Sequence, residues 1–223
     1  MKQTTSPKPL IVLFDLDSTL TTTETVDAWA AEKGIAAKLQ QVTDDAMRKH
    51  QPLHALFTQR LALLAPSKQD RAQLRRIALH NLSHEAIQLI DKLSKHSHVK
   101  LGILSLHFQE IVDDVGSFLG CDPALCIGYE IQHDKDGVYQ GYDVNQVLIQ
   151  NDGKGRVVDK LKTLYPNTHI VHIGDNMTDQ STQGHADMFI GYGGVIEREE
   201  VKKASTNYAY SYVEVEKYLQ KYL

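Results

Sequence analysis

LIVLFDLDSTLT, residues 10–21, decides how the rest of the chain is read. Leu10 to Phe14 is an unbroken apolar run, rich in β-branched character, of the kind that fills a strand buried on both faces, and such runs belong to parallel sheets. It leads straight into Asp15 and Asp17. In open parallel sheets ligands gather beyond the carboxyl ends of the strands, so two carboxylates at that end are placed for chemistry. Residues i and i+2 leave a strand on the same side, which lets both address one crevice.

Working outward, buried-type strands are expected at Leu10–Leu16, Val99–Ser105, His169–Gly174 and Asp187–Ile190, with helical segments over 84–96, 108–119, 154–165 and 178–185. This βαβ alternation implies an α/β fold, a Rossmann-like parallel sheet with right-handed crossovers. Two features interrupt it. Between Glu24 and His80 nothing reads as a strand; Leu53, Leu56, Phe57, Arg60, Leu61 and Leu64 recur with helical spacing, and Pro66 stops that helix. A helical cap over 23–80, inserted after the first strand into a core of 1–22 and 81–223, is the economical arrangement. The other interruption is CIGYEIQHDKDGVYQGYD, residues 126–143, which reads as a β-hairpin around Lys135-Asp136-Gly137. Its DKDG is a turn rather than a calcium loop, because Gln132 stands where the first ligand belongs.

Composition narrows the partners. The chain has 223 residues, 42% hydrophobic and 23% charged, with a net charge of -4, which suits a folded core in a soluble protein. Lys and Arg are scattered, so neither nucleic acid nor a membrane surface is expected. Apolar runs fall far short of the roughly 18 residues that span a bilayer, and MKQTTSPKP lacks the apolar centre of a leader; a cytoplasmic protein, monomer or homodimer, is expected. Cys121 and Cys126 fit no metal or redox spacing and read as reduced thiols. His50 and His54 share a helical face without a third ligand near them, and read as a solvated pair.

Each main strand ends in polar groups: Asp15 and Asp17, then Ser105, then GDNMTD with Asp175 and Asp179. Four aspartates converging would repel one another unless a hard cation sat among them, and oxygen ligands suit Mg²⁺. One Mg²⁺ and Lys154, at a helix start, still leave a net negative site. Protonating Asp17 neutralises it, which makes Asp17 a candidate general acid and leaves Asp15 as a carboxylate able to attack phosphorus. Lys154 and the hydroxyls of Ser105 and Thr178 suit phosphoryl oxygens. The expected substrate is a small phosphate ester.

DLDSTLT, a Ser after a strand, a Lys at a helix start and GDNMTD, in that order, resemble the four motifs of the haloacid dehalogenase superfamily of phosphohydrolases. Within it, TETVDAWA, DDAMRKHQPLHALFTQRLALLAPS, DGKGRVVDKLK and ADMFIGYGGVIEREEVK are similar to the phosphoserine phosphatase family, over roughly residues 10–208. The resemblance implies Asp15 as nucleophile, Asp17 as acid and then base, and Mg²⁺ held by Asp15, the Asp17 carbonyl and Asp175, with Asp179 supporting the metal shell. Ser105, Thr178 and Lys154 would bind phosphate. Glu24 would meet the substrate ammonium and Arg60 its carboxylate, pairings whose chemistry fits. It also implies a place in serine biosynthesis. The chain departs from that family at Leu106-His107, where Gly-Gly is usual, which puts Leu106 beside the substrate; Asn176 replaces a Gly in the fourth motif. A same-fold phosphatase for another metabolite, and a weakened phosphate-binding regulatory protein, are the alternatives.

Overall fold

Every residue of β1 (Leu10–Phe14) is fully buried. A strand with no polar face demands this, since helices must cover both its sides and other strands both its edges. In the computed structural model, which describes residues 7–223, it has both. Residues 1–6 of the MKQTTSPKP stretch lie outside the described part. β1 pairs in parallel with β2 (Val99–Phe108) and, across its other edge, with β6 (His169–Gly174), so that Val12 faces Leu101 and Val171. With β3 (Cys126–Tyr129), β7 (Met188–Tyr192) and β8 (Asn207–Ala209) the sheet runs β3-β2-β1-β6-β7-β8, all parallel. The strand order reverses between β1 and β6, which opens a crevice at their carboxyl ends.

Four of the helices between β1 and β2 form a layer of their own: α1 (Thr25–Glu32), α2 (Ala36–Arg48), α3 (Leu53–Leu64) and α4 (Arg71–His80). Trp29, Leu39, Leu61, Leu64, Leu74 and Ile77 are buried among them. The chain leaves and returns side by side: Thr22 N donates to the Asn81 carbonyl and Ser83 N to that of Leu20, each at 2.8 Å. α3 ends on Ala65 in the left-handed region (φ 41°), immediately before Pro66. The remaining helices are α5 (His84–Ser94), α6 (Gln109–Leu119), α7 (Gly153–Leu164), the single turn α8 (Met177–Gln180), α9 (Glu199–Ala204) and α10 (Tyr212–Leu219).

Three expectations need correction. β2 does not end at Ser105 but runs on through Leu106-His107-Phe108, and its pairing with β3 slips from Leu104 opposite Ile127 to Phe108 opposite Tyr129. Such a bulge re-aims side chains. The Gln109 side chain replaces the lost ladder, its Nε2 donating to the Cys126 carbonyl (2.9 Å) and its Oε1 accepting from Gly128 N (2.7 Å). A Cβ at Gly128 would sit 2.7 Å from the His107 carbonyl oxygen, so only glycine fits against the bulge. Cys126–Tyr129, expected as a hairpin arm, is this edge strand; the hairpin itself is short, β4 (Gln132–His133) with β5 (Tyr139–Gly141). Its turn falls on Lys135-Asp136-Gly137 as expected, held by Asp134, whose Oδ1 accepts from Asp136 N and Val138 N, and Gly137 supplies φ 82°. Finally, the helix expected over 178–185 is the one turn of α8.

Segment 132–151 also reaches across to the four-helix layer. His133 Nε2 lies 2.9 Å from the Pro66 carbonyl, and Lys68 N donates to that of Gly137 at 3.0 Å. Tyr142 donates its hydroxyl to the His54 carbonyl (2.9 Å), and Asn151 Oδ1 accepts from Leu53 N (3.1 Å).

Candidate active site

Beyond Phe14 the ladder continues for one bond, Asp15 N to the Ile173 carbonyl at 2.8 Å. The chain then makes one wide turn over Leu16–Leu20, closed by Thr21 N on the Leu16 carbonyl (2.9 Å), with Ser18 at φ 53°. That turn sends the two carboxylates to different places. Asp15 is buried in the crevice: its Oδ1 accepts from Leu16 N (2.8 Å) and lies 3.0 Å from Lys154 Nζ, while Asn176 Nδ2 approaches Oδ2 at 3.4 Å. The buried Ser105 side chain stands close enough to pull its pKa down, against the effect of burial.

Lys154 is 1% exposed, and its ammonium lies between Asp15 and Asp179, bonded to Oδ1 of each. The glycines beside it explain how a helix N-terminus can be buried so tightly. A Cβ at Gly153 would fall 2.3 Å from the Leu148 carbonyl oxygen, and one at Gly155 2.8 Å from that of Ser181. Likewise a Cβ at Gly174 would strike the Asp179 carboxyl carbon at 2.2 Å. Burial alone would neutralise Lys154, but the two carboxylates win and hold its pKa above the usual lysine value.

One oxygen each from Asp15, Asp175 and Asp179 lie within 4.8 Å of one another. Burial first, and then the other two carboxylates, push Asp175 up to about 8; burial and then Asp179 raise Asp15 against the pull of Lys154. Asp175 Oδ2 accepts from Arg198 Nε at 3.0 Å, whereas its Oδ1 is buried with no hydrogen-bond partner. A buried carboxylate oxygen without a donor, among two more carboxylates, fits a hard cation.

The expected fourth carboxylate, Asp17, stands outside this trio. Its Oδ1 accepts from the backbone and hydroxyl of Thr25, and burial followed by the charge of Glu24 raises its pKa well above the usual value. With Glu24, Arg60 and Leu106 it lines an adjoining cavity of about 440 Å³ between α1–α3 and the sheet, which Tyr129 and Arg198 also line. Both groups expected to hold a substrate are already paired: Arg60 with Asp27 (2.6 Å) and Thr43 Oγ1 (2.8 Å), Glu24 with Ser18 Oγ (2.8 Å) and Arg198 (3.0 Å). Thr178 donates its hydroxyl to Asn176 Oδ1, within α8's own cap, and not to the carboxylate cluster.

Three residues have places at the site that the sequence reading does not give them. Asn176 caps α8 and bridges it to Asp15; a polar residue just before a short helix was the available signal. Arg198 ties Asp175 to Glu24 from the loop after β7, and no periodicity marks it. His107 is fully buried, its Nδ1 accepts from Phe108 N (2.7 Å), and burial lowers its pKa to about 4.

An acidic trio and a pinned lysine at the switch point, beside a helical insert, define a hydrolase of the haloacid dehalogenase type, and the chain belongs to the haloacid dehalogenase-like hydrolases, whose family description matches residues 12–182. Among its relatives, the phosphoserine phosphatase of Bos taurus is 32% identical over 206 residues, covering 92% of this chain and 90% of that one. The phosphoserine phosphatase of Homo sapiens is 31% identical over 204 residues, with the same coverage of 92% and 90%. A crystal structure of a phosphoserine phosphohydrolase-like protein from Francisella tularensis superposes with a TM-score of 0.79 at 22% identity, covering 94% of this chain and 99% of that one, which is a likeness of fold. No helix among the described residues is long and apolar enough to cross a membrane.

Proposed function

We propose that the chain is a Mg²⁺-dependent phosphomonoesterase that works through an aspartyl phosphate on Asp15, with O-phosphoserine as substrate. The observation that carries this reading is Asp15 itself, a carboxylate held by Lys154 and the Leu16 backbone at the mouth of the switch point beside an oxygen-rich cation site. Mg²⁺, held by Asp15, Asp175 and the chain at Asp17, with Asp179 in support, would offset the carboxylate charge and polarise the phosphoryl group.

The chain's own groups supply the remainder. Lys154 and Ser105 bind phosphoryl oxygens, and Thr178 joins them by turning from Asn176. A carboxylate oxygen of Asp15 attacks phosphorus as the bond to the ester oxygen breaks. Asp17, whose pKa is raised by burial and Glu24, carries the proton that the leaving oxygen takes. The resulting Asp17 carboxylate then takes a proton from water as that water attacks phosphorus, which frees Asp15 and phosphate.

Residues 23–80 act as the cap over a core of 1–22 and 81–223, closing the 440 Å³ cavity over the substrate. For phosphoserine, Arg60 exchanges Asp27 for the substrate carboxylate, and Glu24 shares its charge between Arg198 and the ammonium. Such a protein would serve serine biosynthesis in the cytoplasm, as monomer or homodimer. A second reading, another small phosphate ester, is favoured by Leu106, which puts a bulky apolar side chain into the cavity where the family's Gly would leave room. The experiment is phosphate release with Mg²⁺ from phosphoserine, phosphothreonine, a sugar phosphate and a nucleotide. A clear preference for phosphoserine supports the first reading, preference for another ester the second, and turnover of none sinks both.

A further inference from the structure

Tyr129 lines the 440 Å³ cavity without a part in the chemistry proposed for it. It closes β3, the edge strand whose pairing the bulge in β2 sets, and is 3% exposed. Its ring stands edge-on to Phe57 (centroids 5.1 Å apart, planes at 81°) and to Phe108 (5.4 Å, 66°). Phenylalanine would fill that packing equally well, so the ring does not account for the hydroxyl.

The hydroxyl makes no hydrogen bond to any described residue, nor is it sealed in as the orphaned hydroxyl of Tyr208 is. The comparably buried Tyr212, by contrast, donates its hydroxyl to the Thr19 carbonyl at 2.8 Å. Buried polar groups are nearly always paired, and one that opens into a cavity instead marks a place for a ligand atom. Two cavities adjoin the ring, a smaller one of about 290 Å³ on the Phe108 side and the larger one on the Phe57 side. Phe57 and Arg60, three residues apart, share a face of α3, so the ring lies against the side of that helix that carries the guanidinium. The charges that act most on the hydroxyl agree with this. Burial raises its pKa well above the usual phenol value, Arg60 pulls against that and Asp17 adds to it, and both belong to the larger cavity. The phenol therefore keeps its proton and is a donor there.

Arg60 and Tyr129 meet a ligand on unequal terms. An anion that reaches Arg60 replaces the carboxylate of Asp27, exchanging one charged hydrogen bond for another with little net change. The Tyr129 hydroxyl gives up no protein partner, so the bond it makes is a net gain, and a ligand without a matching oxygen lacks that gain.

We propose that Tyr129 is the specificity residue for the substrate carboxylate, its hydroxyl donating to one carboxylate oxygen while Arg60 holds the other. This assignment rests on the phosphoserine reading and goes beyond it, since it places the discrimination on the uncommitted phenol rather than on the arginine.

Tyr129→Phe removes the hydroxyl and keeps the ring. The test compares phosphoserine with phosphoethanolamine, which has the same ester and ammonium but no carboxylate, both with Mg²⁺. The ratio of their kcat/KM values should favour phosphoserine in the wild type and fall at least about tenfold in Tyr129→Phe, the range of a hydrogen bond to a charged group. A ratio within about twofold of wild type, whether through unchanged rates or equal losses, is below the worth of one hydrogen bond and overturns the proposal, as does a ratio that rises. Thermal melts without substrate supply an independent reading. Because no bond within the protein is lost, Tyr129→Phe should melt no lower than wild type. A Tm lower by about 2–4 °C or more, the cost of one lost hydrogen bond in a chain of this length, or a variant that does not fold, shows the hydroxyl already committed and also overturns it. A wild type that hydrolyses other esters but not phosphoserine removes the phosphoserine reading and this assignment with it; a wild type active on phosphoserine, with the ratio unchanged in the variant, removes the assignment alone.

Discussion

Titrating the metal-free protein between pH 6.5 and 8 should destabilise it, and Mg²⁺ should reverse the effect. Asp175 is 1% exposed and its pKa is pushed from 3.8 up to about 8 by burial and by its two carboxylate neighbours. Over that interval the folded state keeps a proton that the unfolded chain has released, so stability falls as pH rises. At about 1.4 kcal/mol per pH unit for one proton, the 1.5 units from 6.5 to 8 amount to about 2 kcal/mol, or roughly 4–8 °C in Tm for a chain of this length. Asp15, Asp17 and Glu24 are shifted in the same direction. Below pH 6.5 the buried, neutral His107 and His172 act oppositely, because their pKa values are lowered to about 4 and about 3, and the unfolded chain takes up their protons. The window above 6.5 is therefore the clean one. Adding Mg²⁺ at about a hundred times Kd should restore about 2.7 kcal/mol, and its binding should release protons. Thermal melts in chelator and in Mg²⁺, at four pH values across the window, measure both. A Tm in chelator that is flat or rises with pH would refute the charge argument, and a Mg²⁺ effect equal at every pH would detach it from Asp175.

Asp15→Asn should leave a folded protein without turnover, since an amide cannot attack phosphorus; activity within about tenfold of wild type, a barrier change of about 1.4 kcal/mol, would rule out the nucleophile. Arg60→Ala should lower kcat/KM for phosphoserine by about 2–5 kcal/mol while sparing a simple aryl phosphate, and equal losses on both would make the Arg60–Asp27 pair structural. Leu106→Gly should raise kcat/KM for phosphoserine by about 1 kcal/mol if the side chain only crowds the cavity, and lower turnover of the true ester if it shapes it. The companion change His107→Gly should instead cost stability, because it empties a buried site; a Tm within 1 °C of wild type, on the order of measurement error, would contradict the burial.

The β1 run and its two carboxylates were legible because burial on both faces leaves a strand no polar positions, and because ligand chemistry has one natural place in a parallel sheet. The same logic found Lys154, Asp175 and Asp179, which lie at element starts and ends. It failed where side chains replace backbone patterns. Gln109 stands in for a strand ladder, so the sequence hides that β2 passes Ser105 and that Cys126–Tyr129 belongs to the main sheet. The expectation that Asp17 joins the carboxylate cluster extends strand geometry into the turn over Leu16–Leu20, where it no longer holds. Arg198 is distant in sequence from both of its carboxylate partners, and nothing local announces such a contact.

The bonds from segment 132–151 to the helical layer all fall on α3 and the link that follows it, at Leu53, His54, Pro66 and Lys68. They hold that helix at both ends, like a beam fixed at two supports, with Arg60 near its middle. Asp27 and Thr43, the partners of Arg60, sit on α1 and α2, which this segment does not hold. α3 thus presents Arg60 from a helix tied at both ends to this segment, and its guanidinium is covered by Asp27 and Thr43 from the neighbouring α1 and α2, so an anion that reaches Arg60 must displace a carboxylate already held there.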